Sequence, residues 1–141
     1  MSQTNVQFSV ASHIMASLGA HYGTPVRSND LAGSVNADPS FVRRVVSKLA
    51  KAGLVSTIRG KSGSCTLSRP PSEITLLDIY KASGAPKAFA VHGYAVAEGC
   101  YVSRNIKGCL GVVLDRAQSS FEQSLAKQTL ADVVTGVAIK G

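Results

Sequence analysis

The sequence contains few cysteines and no long apolar run. Cys65, Cys100 and Cys109 are odd in number and form no CxxC pair, which argues against a disulfide-stapled secreted scaffold and fits a reducing cytoplasm. No apolar run approaches the roughly 18 residues of a membrane-spanning helix. The first basic residue is Arg27, so the start of the chain lacks the positive region of a secretory signal. These absences predict a cytoplasmic protein that does not bind membranes.

Signatures of catalysis are missing as well. The sequence shows no glycine-rich phosphate loop, no metal-ligand spacing and no acid–base pair in a plausible cleft. It also shows no internal repeat and no low-complexity tract. With 141 residues, 45% of them hydrophobic, the chain can bury a core. It is long enough for one domain, or for a small domain with an oligomerising extension. We therefore expect neither an enzyme nor a repeat protein.

Acidic residues are scarce in the first half of the chain. Residues 1–71 contain eight Lys or Arg and two Asp, whereas residues 72–141 contain seven Lys or Arg and six acidic residues. A basic half of this kind favours a polyanionic partner. Nucleic acid ranks ahead of a membrane surface, because no basic amphipathic helix with a large aromatic face is present.

The order of the predicted elements is typical of a winged helix-turn-helix. Apolar residues at four-residue intervals predict a first helix over about residues 4–20. Ser28 is the expected N-cap of a short second helix, and a turn is expected from Gly33. Asp38 and Pro39 predict the start of a third helix and Gly53 its end. Alternating polarity in the residues that follow predicts a β-hairpin with a glycine-rich tip.

The second half predicts helices around an irregular segment. Capping-box spacing from Thr75 to Asp78 predicts a helix to about residue 83, and the same spacing from Thr129 to Asp132 predicts a short final helix. Residues 82–99 are expected to be irregular, and a long helix is expected over about residues 105–127. One stripe of this helix has the near-heptad spacing of a pairing helix. The stripe consists of Leu110, Leu114, Ala117, Phe121 and Leu125.

The predicted fold is therefore mostly α with a small β-hairpin. We divide it into a winged helix-turn-helix over residues 1–83, a loop and possible sensor segment over residues 84–103, and a dimerisation helix with a terminal short helix over residues 104–141.

The third helix is predicted to carry a cationic face. At about 100° per residue, one arc holds polar side chains and the opposite arc apolar ones. The polar arc consists of Ser40, Arg43, Arg44, Ser47, Lys48 and Lys51, and the apolar arc of Phe41, Val42, Val45, Val46, Leu49 and Ala52. The helix has no acidic residue after Asp38, and its cations four residues apart repel each other. The face therefore favours a polyanion. The alternatives are a solvated basic face and an interaction module that binds an acidic protein.

Several stretches of the chain resemble a known family. The stretch "RGKSGSCTLSRPPSEITLLDIYKA", the helix before it and the C-terminal "LAKQTLADV" resemble the small, YwnA-like members of the Rrf2-type bacterial transcription regulators, over nearly the whole chain. The resemblance implies a homodimeric repressor. In it, the third helix enters the major groove of double-stranded DNA, the wing enters the minor groove, and the long helices of two subunits pair. Ser64 stands where the family usually has the second wing glycine.

The resemblance also implies individual roles. Ser40, Arg43 and Arg44 are expected to read bases. Phosphate contacts are expected from Lys48, Lys51, Lys61 and Arg27, and Arg59 is expected in the minor groove. The full predicted DNA-binding set is Arg27, Ser28, Ser40, Arg43, Arg44, Ser47, Lys48, Lys51, Arg59 and Lys61.

The cysteines leave the question of sensing open. Many members of the family hold an iron–sulfur cluster on three cysteines before the long helix, but only Cys100 and Cys109 are present here. A cluster would need further ligands from His92, Glu98 or a partner subunit. A thiol switch is the second interpretation, because Arg104 and Lys107 lie close in sequence and are expected to favour a thiolate. Cys109 is also expected in the first turn of the long helix, where the dipole has the same effect. Passive thiols are the third. We expect no metal and no cofactor, and we expect Cys65 to pack inside the hairpin.

Overall fold

The computed structural model describes residues 6–58 and 63–140, without the Lys140 side chain. The helices are α1 (Gln7–Ala20), α2 (Ser28–Val35), α3 (Pro39–Lys51), α4 (Leu76–Ala82), α5 (Tyr101–Ala126) and α6 (Leu130–Lys140). The strands are β1 (Val26–Arg27), β2 (Val55–Ile58) and β3 (Ser64–Leu67), and a 3-10 turn spans Pro71–Glu73. The predicted fold class, mostly helical with a small winged sheet, is confirmed. Within the described residues, no helix combines the length and apolar character that crossing a bilayer requires.

The chain divides into two compact units. The first contains the residues up to Ala85 and those from Leu125 onward, and the second contains residues 86–124. In the first unit, α1 supplies the centre of the core because its apolar residues recur once per turn. Ile14 and Met15 are fully buried, as are Leu49 of α3 and Leu130 of α6.

The second helix differs from its prediction at both ends. Ser28 is the first helical residue and not the N-cap, a position that Arg27 occupies with extended backbone and no side-chain cap. The expected turn at Gly33 is also wrong, since α2 continues to Val35 and ends at Asn36. Asn36 has a φ of 61°, the left-handed conformation that Asn tolerates better than most side chains. This turn leads directly into α3.

The predicted hairpin is confirmed, with one further strand beside it. β2 and β3 pair antiparallel, with Val55 opposite Leu67 and Ile58 opposite Ser64. β1 pairs with the other edge of β3, so the strand order is β1-β3-β2. The third strand, absent from the prediction, joins the start of α2 to the wing.

Both predicted capping boxes are present and lie next to each other. The Thr75 hydroxyl accepts from the Asp78 N–H at 3.0 Å while the Asp78 carboxylate accepts from the Thr75 N–H at 2.9 Å. Thr129 and Asp132 repeat the pattern at 3.2 and 2.9 Å. An antiparallel bridge connects Thr75 with Thr129. The starts of α4 and α6 are therefore fixed together, and α6 belongs to the first compact unit.

The close packing of α6 on α1 depends on Gly19. A Cβ added to this buried glycine would lie 2.9 Å from Val134 Cγ2. We expect Gly19→Leu to lower the free energy of unfolding by about 2 kcal/mol, because overpacking displaces neighbours that have nowhere to go. Gly33→Leu is the matched control, since a Cβ at Gly33 meets no atom within 4 Å. Chemical denaturation of both variants measures the difference, and equal midpoints would contradict the packing described here.

Candidate nucleic-acid interface

The third helix starts at a well-formed N-cap. The Asp38 carboxylate accepts from the Phe41 N–H at 3.3 Å and also from the Ser40 hydroxyl. Pro39 occupies the first helical position, where no N–H is required. The hydrogen bond from Ser40, followed by that from Phe41, lowers the pKa of the Asp38 carboxyl below its ordinary value of 3.8. The Asp38 carboxyl is therefore ionised at neutral pH, and its contribution to helix stability is lost only as the pH falls below 3.8.

The two faces of α3 have the predicted exposure. Val42, Val45, Val46 and Leu49 are buried. Arg43, Arg44, Ser47, Lys48 and Lys51 are exposed on the opposite side, and Ser40 is half-buried. Ala52 is the exception: it was placed on the apolar arc but is exposed as the C-cap residue. The helix ends before Gly53, whose φ of 79° confirms the predicted stop signal.

Two contacts that the sequence did not reveal orient residues at the start of this face. The Arg44 guanidinium carbon lies 5.7 Å from the centre of the Phe41 ring, within the range of a cation–π interaction. The Ser40 hydroxyl, predicted to read a base, instead donates to the Asp38 carboxylate. Arg43 and Arg44 are therefore the stronger candidates for base contacts.

Lys48 lies against the end of α4. Its Nζ is 3.5 Å from the position that a Cβ of Gly84 would occupy. Gly84 has a φ of 73°, so the turn after α4 exposes backbone at this point. Lys48 remains exposed, with its side chain beside this turn.

Arg27 and Ser28 lie beside the wing. Arg27 pairs with Ser64 in the sheet, and the Ser28 N–H donates to the Gly63 carbonyl at 3.1 Å. The Arg27 guanidinium also forms an exposed ion pair with Asp30 at 3.5 Å. The predicted wing residues Arg59 and Lys61 lie outside the described residues. Ser64, at the position of the second wing glycine, is the first residue of β3.

The predicted packing role of Cys65 agrees with its position. The side chain is buried on the inner side of β3, with a relative exposure of 1%. Burial raises the pKa of the Cys65 thiol, which keeps it protonated and unreactive at neutral pH.

The other two cysteines are separated by more than two turns of the long helix. α5 begins at Tyr101, four residues earlier than predicted, so Cys100 precedes the helix and Cys109 lies in its third turn and not its first. At 1.5 Å and 100° per residue, Cα atoms nine residues apart are about 14 Å from each other on opposite sides of the helix axis. A disulfide needs Cα atoms within about 7 Å. With the helix intact, one chain can neither join these thiols nor place both on one cluster.

The ligand set for an iron–sulfur cluster is also incomplete around these thiols. Within the described residues, no group of three or more His, Cys, Asp or Glu side chains is arranged to hold a metal ion. The cations that were expected to favour a thiolate are bonded elsewhere: Arg104 donates to the Glu98 carbonyl at 2.6 Å, and Lys107 donates to the Tyr94 carbonyl. The residues present therefore do not fit a cluster.

An exposed apolar seam follows α5, next to the predicted stripe. In the predicted stripe, Leu125 is buried, Leu110, Leu114 and Phe121 are half-buried, and Ala117 is exposed. The more exposed residues lie about 90° further round the helix. We call this set the α5 seam: Val102, Ile106, Cys109 and Val113. Its residues follow one another at intervals of four, three and four, the pattern of a coiled-coil seam.

The segment before α5 lies along the other side of that helix. Lys87 forms an exposed ion pair with Asp115 at 3.3 Å, and the Ala88 N–H donates to the Gln118 side chain at 2.9 Å. Gln118 is buried. By the helical periodicity, these partners lie about 120° or more from the α5 seam. The irregular segment therefore covers the polar side of α5 and leaves the seam exposed.

Known proteins share this architecture. Residues 4–136 match the Rrf2 family model, described as an iron-dependent transcriptional regulator. One relative is YwnA of Bacillus subtilis (strain 168), whose name describes it as a candidate HTH-type transcriptional regulator. The two sequences are 33% identical over 131 residues, and this alignment covers 92% of this chain and 96% of YwnA. The crystal structure of a candidate transcriptional regulator from Lactobacillus plantarum is 26% identical with a TM-score of 0.81, over 96% of this chain and 91% of that one. CymR, the global cysteine regulator of B. subtilis, is 23% identical with a TM-score of 0.66, over 96% of this chain and 98% of that one.

These matches confirm the resemblance stated from the sequence. The family model covers the winged unit and the long helix together, and the identity with YwnA extends over most of both chains. The winged arrangement of α1–α4 with the three-stranded sheet is shared with the solved relatives. The chain belongs to the Rrf2 family of transcriptional regulators, a family of winged-helix proteins and not of enzymes.

Proposed function

We propose that the protein is a repressor that binds a specific double-stranded DNA site as a homodimer. The observation that carries the proposal is the exposed face of α3, where four cations and no acidic residue lie opposite the buried Val42, Val45, Val46 and Leu49. Self-repulsion within this face costs a few tenths of a kcal/mol for each close pair. Contact with phosphates removes that cost and releases counterions.

The roles of individual residues follow from their positions. Arg43 and Arg44 project from the first turns of α3, which is the part of a recognition helix that contacts bases. The Phe41 ring holds the Arg44 guanidinium and so reduces the entropy lost when it binds guanine. Lys51, and Lys48 beside the α4 turn, bind phosphates and set the register of the helix in the groove.

The wing supplies a second contact. Arg27 and Ser28 lie beside Gly63 and Ser64, at the start of β3. Arg59 and Lys61, which lie between β2 and β3 in the sequence and outside the described residues, complete the proposed contact. Arg27 exchanges its exposed partner Asp30 for a phosphate, which is favourable because an exposed ion pair is worth little in water. Repression then requires only that the bound dimer occupies a promoter.

The second copy in the proposed dimer pairs along the α5 seam. The heptad-like spacing of its apolar residues suits a helix partner, and the polar side of α5 is already covered by the chain's own irregular segment. The half-buried Leu110, Leu114 and Phe121 extend this surface along one edge. Pairing at this place agrees with what the family resemblance implies.

Selection from random duplexes tests the function directly. We expect the full-length protein to enrich one DNA sequence with two related half-sites, because a two-fold dimer presents two α3 helices. Affinity for that duplex should fall steeply with salt, by about 0.9 log units per log unit of salt for each phosphate contact. A transcription assay with the selected site in a promoter should show less transcript when the protein is added. If the protein enriches no DNA sequence and binds an acidic protein instead, the alternative function is favoured, in which the winged helix is an interaction module for an acidic partner.

We further propose that regulation by this chain requires no iron–sulfur cluster. Two observations support this proposal: α5 separates Cys100 from Cys109, and among the described residues no three His, Cys, Asp or Glu side chains are grouped to hold a metal ion. A redox response, if it uses these cysteines, acts through each thiol separately or between subunits. Of the two, Cys109 lies in the α5 seam, where oxidation would add a polar group to the proposed dimer contact.

Protein purified without oxygen tests the proposed independence from iron. We expect less than about one iron atom per ten chains and no visible absorption band, because a cluster needs about four ligands. DNA binding should be unchanged after treatment with a chelator. A stoichiometric cluster in the purified dimer would show that the partner subunit or other residues supply the missing ligands.

A further inference from the structure

A groove in the first compact unit is lined by residues that belong neither to the proposed DNA-binding set nor to the α5 seam. It has a volume of about 500 Å³, within the usual range of small-molecule sites. Its apolar wall consists of Ala16 and Ala20 of α1 with Val133 and Val137 of α6. Gly19 brings these two helices close together just beside it. The groove is therefore part of the packing that holds α6 on α1.

A row of hydrogen-bonding groups also lines the groove. His13 Nε2 lies 3.0 Å from the Ser34 hydroxyl, and the hydroxyls of Ser17 and Ser34 are 3.4 Å apart. Ser12 also lines the groove, and its buried hydroxyl has no hydrogen-bond partner. A buried hydroxyl without a partner costs free energy, which a bound polar group would recover.

His21 adds an acceptor to this wall. Its Nδ1 lies 2.9 Å from the Ser17 carbonyl oxygen. A carbonyl can only accept, so Nδ1 carries the proton, and Nε2 of the neutral ring is free to accept a hydrogen bond from a ligand. Ser17, His21 and Ser34 also line an adjoining pocket of about 370 Å³, so the polar wall continues towards the start of α2.

The charge of the groove limits what it can bind. Among the described residues that line it, none is Lys, Arg, Asp or Glu. A charged ligand would therefore lose hydration without gaining an opposite charge. A hydroxyl suits the wall better, because it can accept from a serine hydroxyl and donate to the neutral imidazole of His21.

We propose that this groove is a binding site for a small uncharged molecule that has an aromatic or aliphatic body and a hydroxyl group. The body packs on Ala16, Ala20, Val133 and Val137 while the hydroxyl bonds to the serine and histidine wall. A regulatory consequence rests on the proposed function. Ser34 lies in the last turn of α2, and α2 leads through Asn36 into the cap of α3, so occupancy affects the element that presents Arg43 and Arg44.

Titration with 2-naphthol, and with 2-naphthoate as the charged analogue of the same size, tests the site. Amide spectra of the full-length protein without DNA should show saturable shifts at α1 and α6 with 2-naphthol, and at least about tenfold weaker binding of 2-naphthoate, which corresponds to about 1.4 kcal/mol. Tighter binding of the acid, or shifts that do not saturate, would overturn the proposal. Because no DNA is present, this result is independent of whether the protein is a repressor.

Variants in the groove provide the second measurement. Val137 is 61% exposed, so Val137→Asp should fold while placing a charge at the mouth of the groove and weakening 2-naphthol binding about tenfold or more. Ile139→Asp is the matched control, on the same helix, 80% exposed and outside the lining, and should bind as the parent does.

Ala16→Leu fills the groove from α1 and should also abolish binding. Unchanged affinity in both groove variants would show that 2-naphthol binds elsewhere. Regulation is then tested by measuring whether 2-naphthol changes the affinity of the protein for the selected duplex.

Discussion

Replacing Arg43 and Arg44 together by Ala is expected to weaken binding to the selected duplex by at least about 1,000-fold. Each arginine that pairs with guanine through two hydrogen bonds contributes about 1–3 kcal/mol of discrimination, and a dimer carries each arginine twice. Both side chains are exposed and lie opposite the buried face of α3, so the fold and the dimer should be unaffected. Fluorescence anisotropy with labelled duplexes, together with sedimentation of the free protein, measures both properties.

Two control variants separate base contacts from net charge. The double replacement Lys81→Ala and Lys127→Ala removes the same charge at exposed positions outside α3 and outside the α5 seam and should weaken binding only slightly. Arg43→Lys with Arg44→Lys keeps the charge of the face but loses the planar fork and the stacking on Phe41. The lysine variant should therefore keep general DNA affinity and lose preference for the selected sequence. Parent-like affinity in the double alanine variant, with the dimer intact, would remove α3 from the interface.

The recognition helix could be predicted because its signals are local. Asp38 and Pro39 start the helix, Gly53 stops it, and Val42, Val45, Val46 and Leu49 repeat on one face. Each of these features depends on residues within one or two turns of each other. The two capping boxes were predictable for the same reason, since the side chain and the N–H that it caps are three residues apart.

The features that were missed depend on contacts between distant residues or on unusual caps. β1 has two residues, too few to show an alternating pattern, and exists because β3 offers it an edge. α5 begins earlier than predicted at a cysteine, where the Cys100 sulfur lies 3.5 Å from the Ser103 N–H. Cysteine is not among the usual capping residues, so the sequence gives no start signal there. This shift of four residues places Cys109 in the third turn of α5 and puts more than two helical turns between the two thiols.

The exposed side of α5 could be predicted only in part for a related reason. Heptad spacing in the sequence indicates that α5 pairs with another helix. Several overlapping stripes on α5 are apolar enough to form that contact. The choice between them depends on which side the irregular segment covers, and the hydrogen bond from Ala88 to Gln118 and the ion pair from Lys87 to Asp115 cross about 30 residues of sequence. No local pattern contains that information.

A carboxylate in the α5 seam is expected to separate the proposed dimer. Val113→Asp should weaken self-association by at least about 100-fold, because each subunit would bring an unpaired charge to the contact, a cost of about 3 kcal/mol or more. Val113 is 57% exposed in the single chain, so the subunit itself should remain folded. Affinity for the selected duplex should fall with it, since each half-site would lose the high effective concentration that its partner supplies.

Val112→Asp is the matched control for the seam. Val112 is the neighbouring residue, is 53% exposed and lies about 100° away around the helix, outside the seam. Sedimentation velocity across a range of protein concentrations should give a dimer for this variant and a monomer for Val113→Asp. If Val112→Asp dissociates instead, the subunits pair on a different side of α5. If both variants remain dimeric and bind DNA as the parent does, α5 does not hold the dimer together, and the contact that positions two recognition helices must come from another surface.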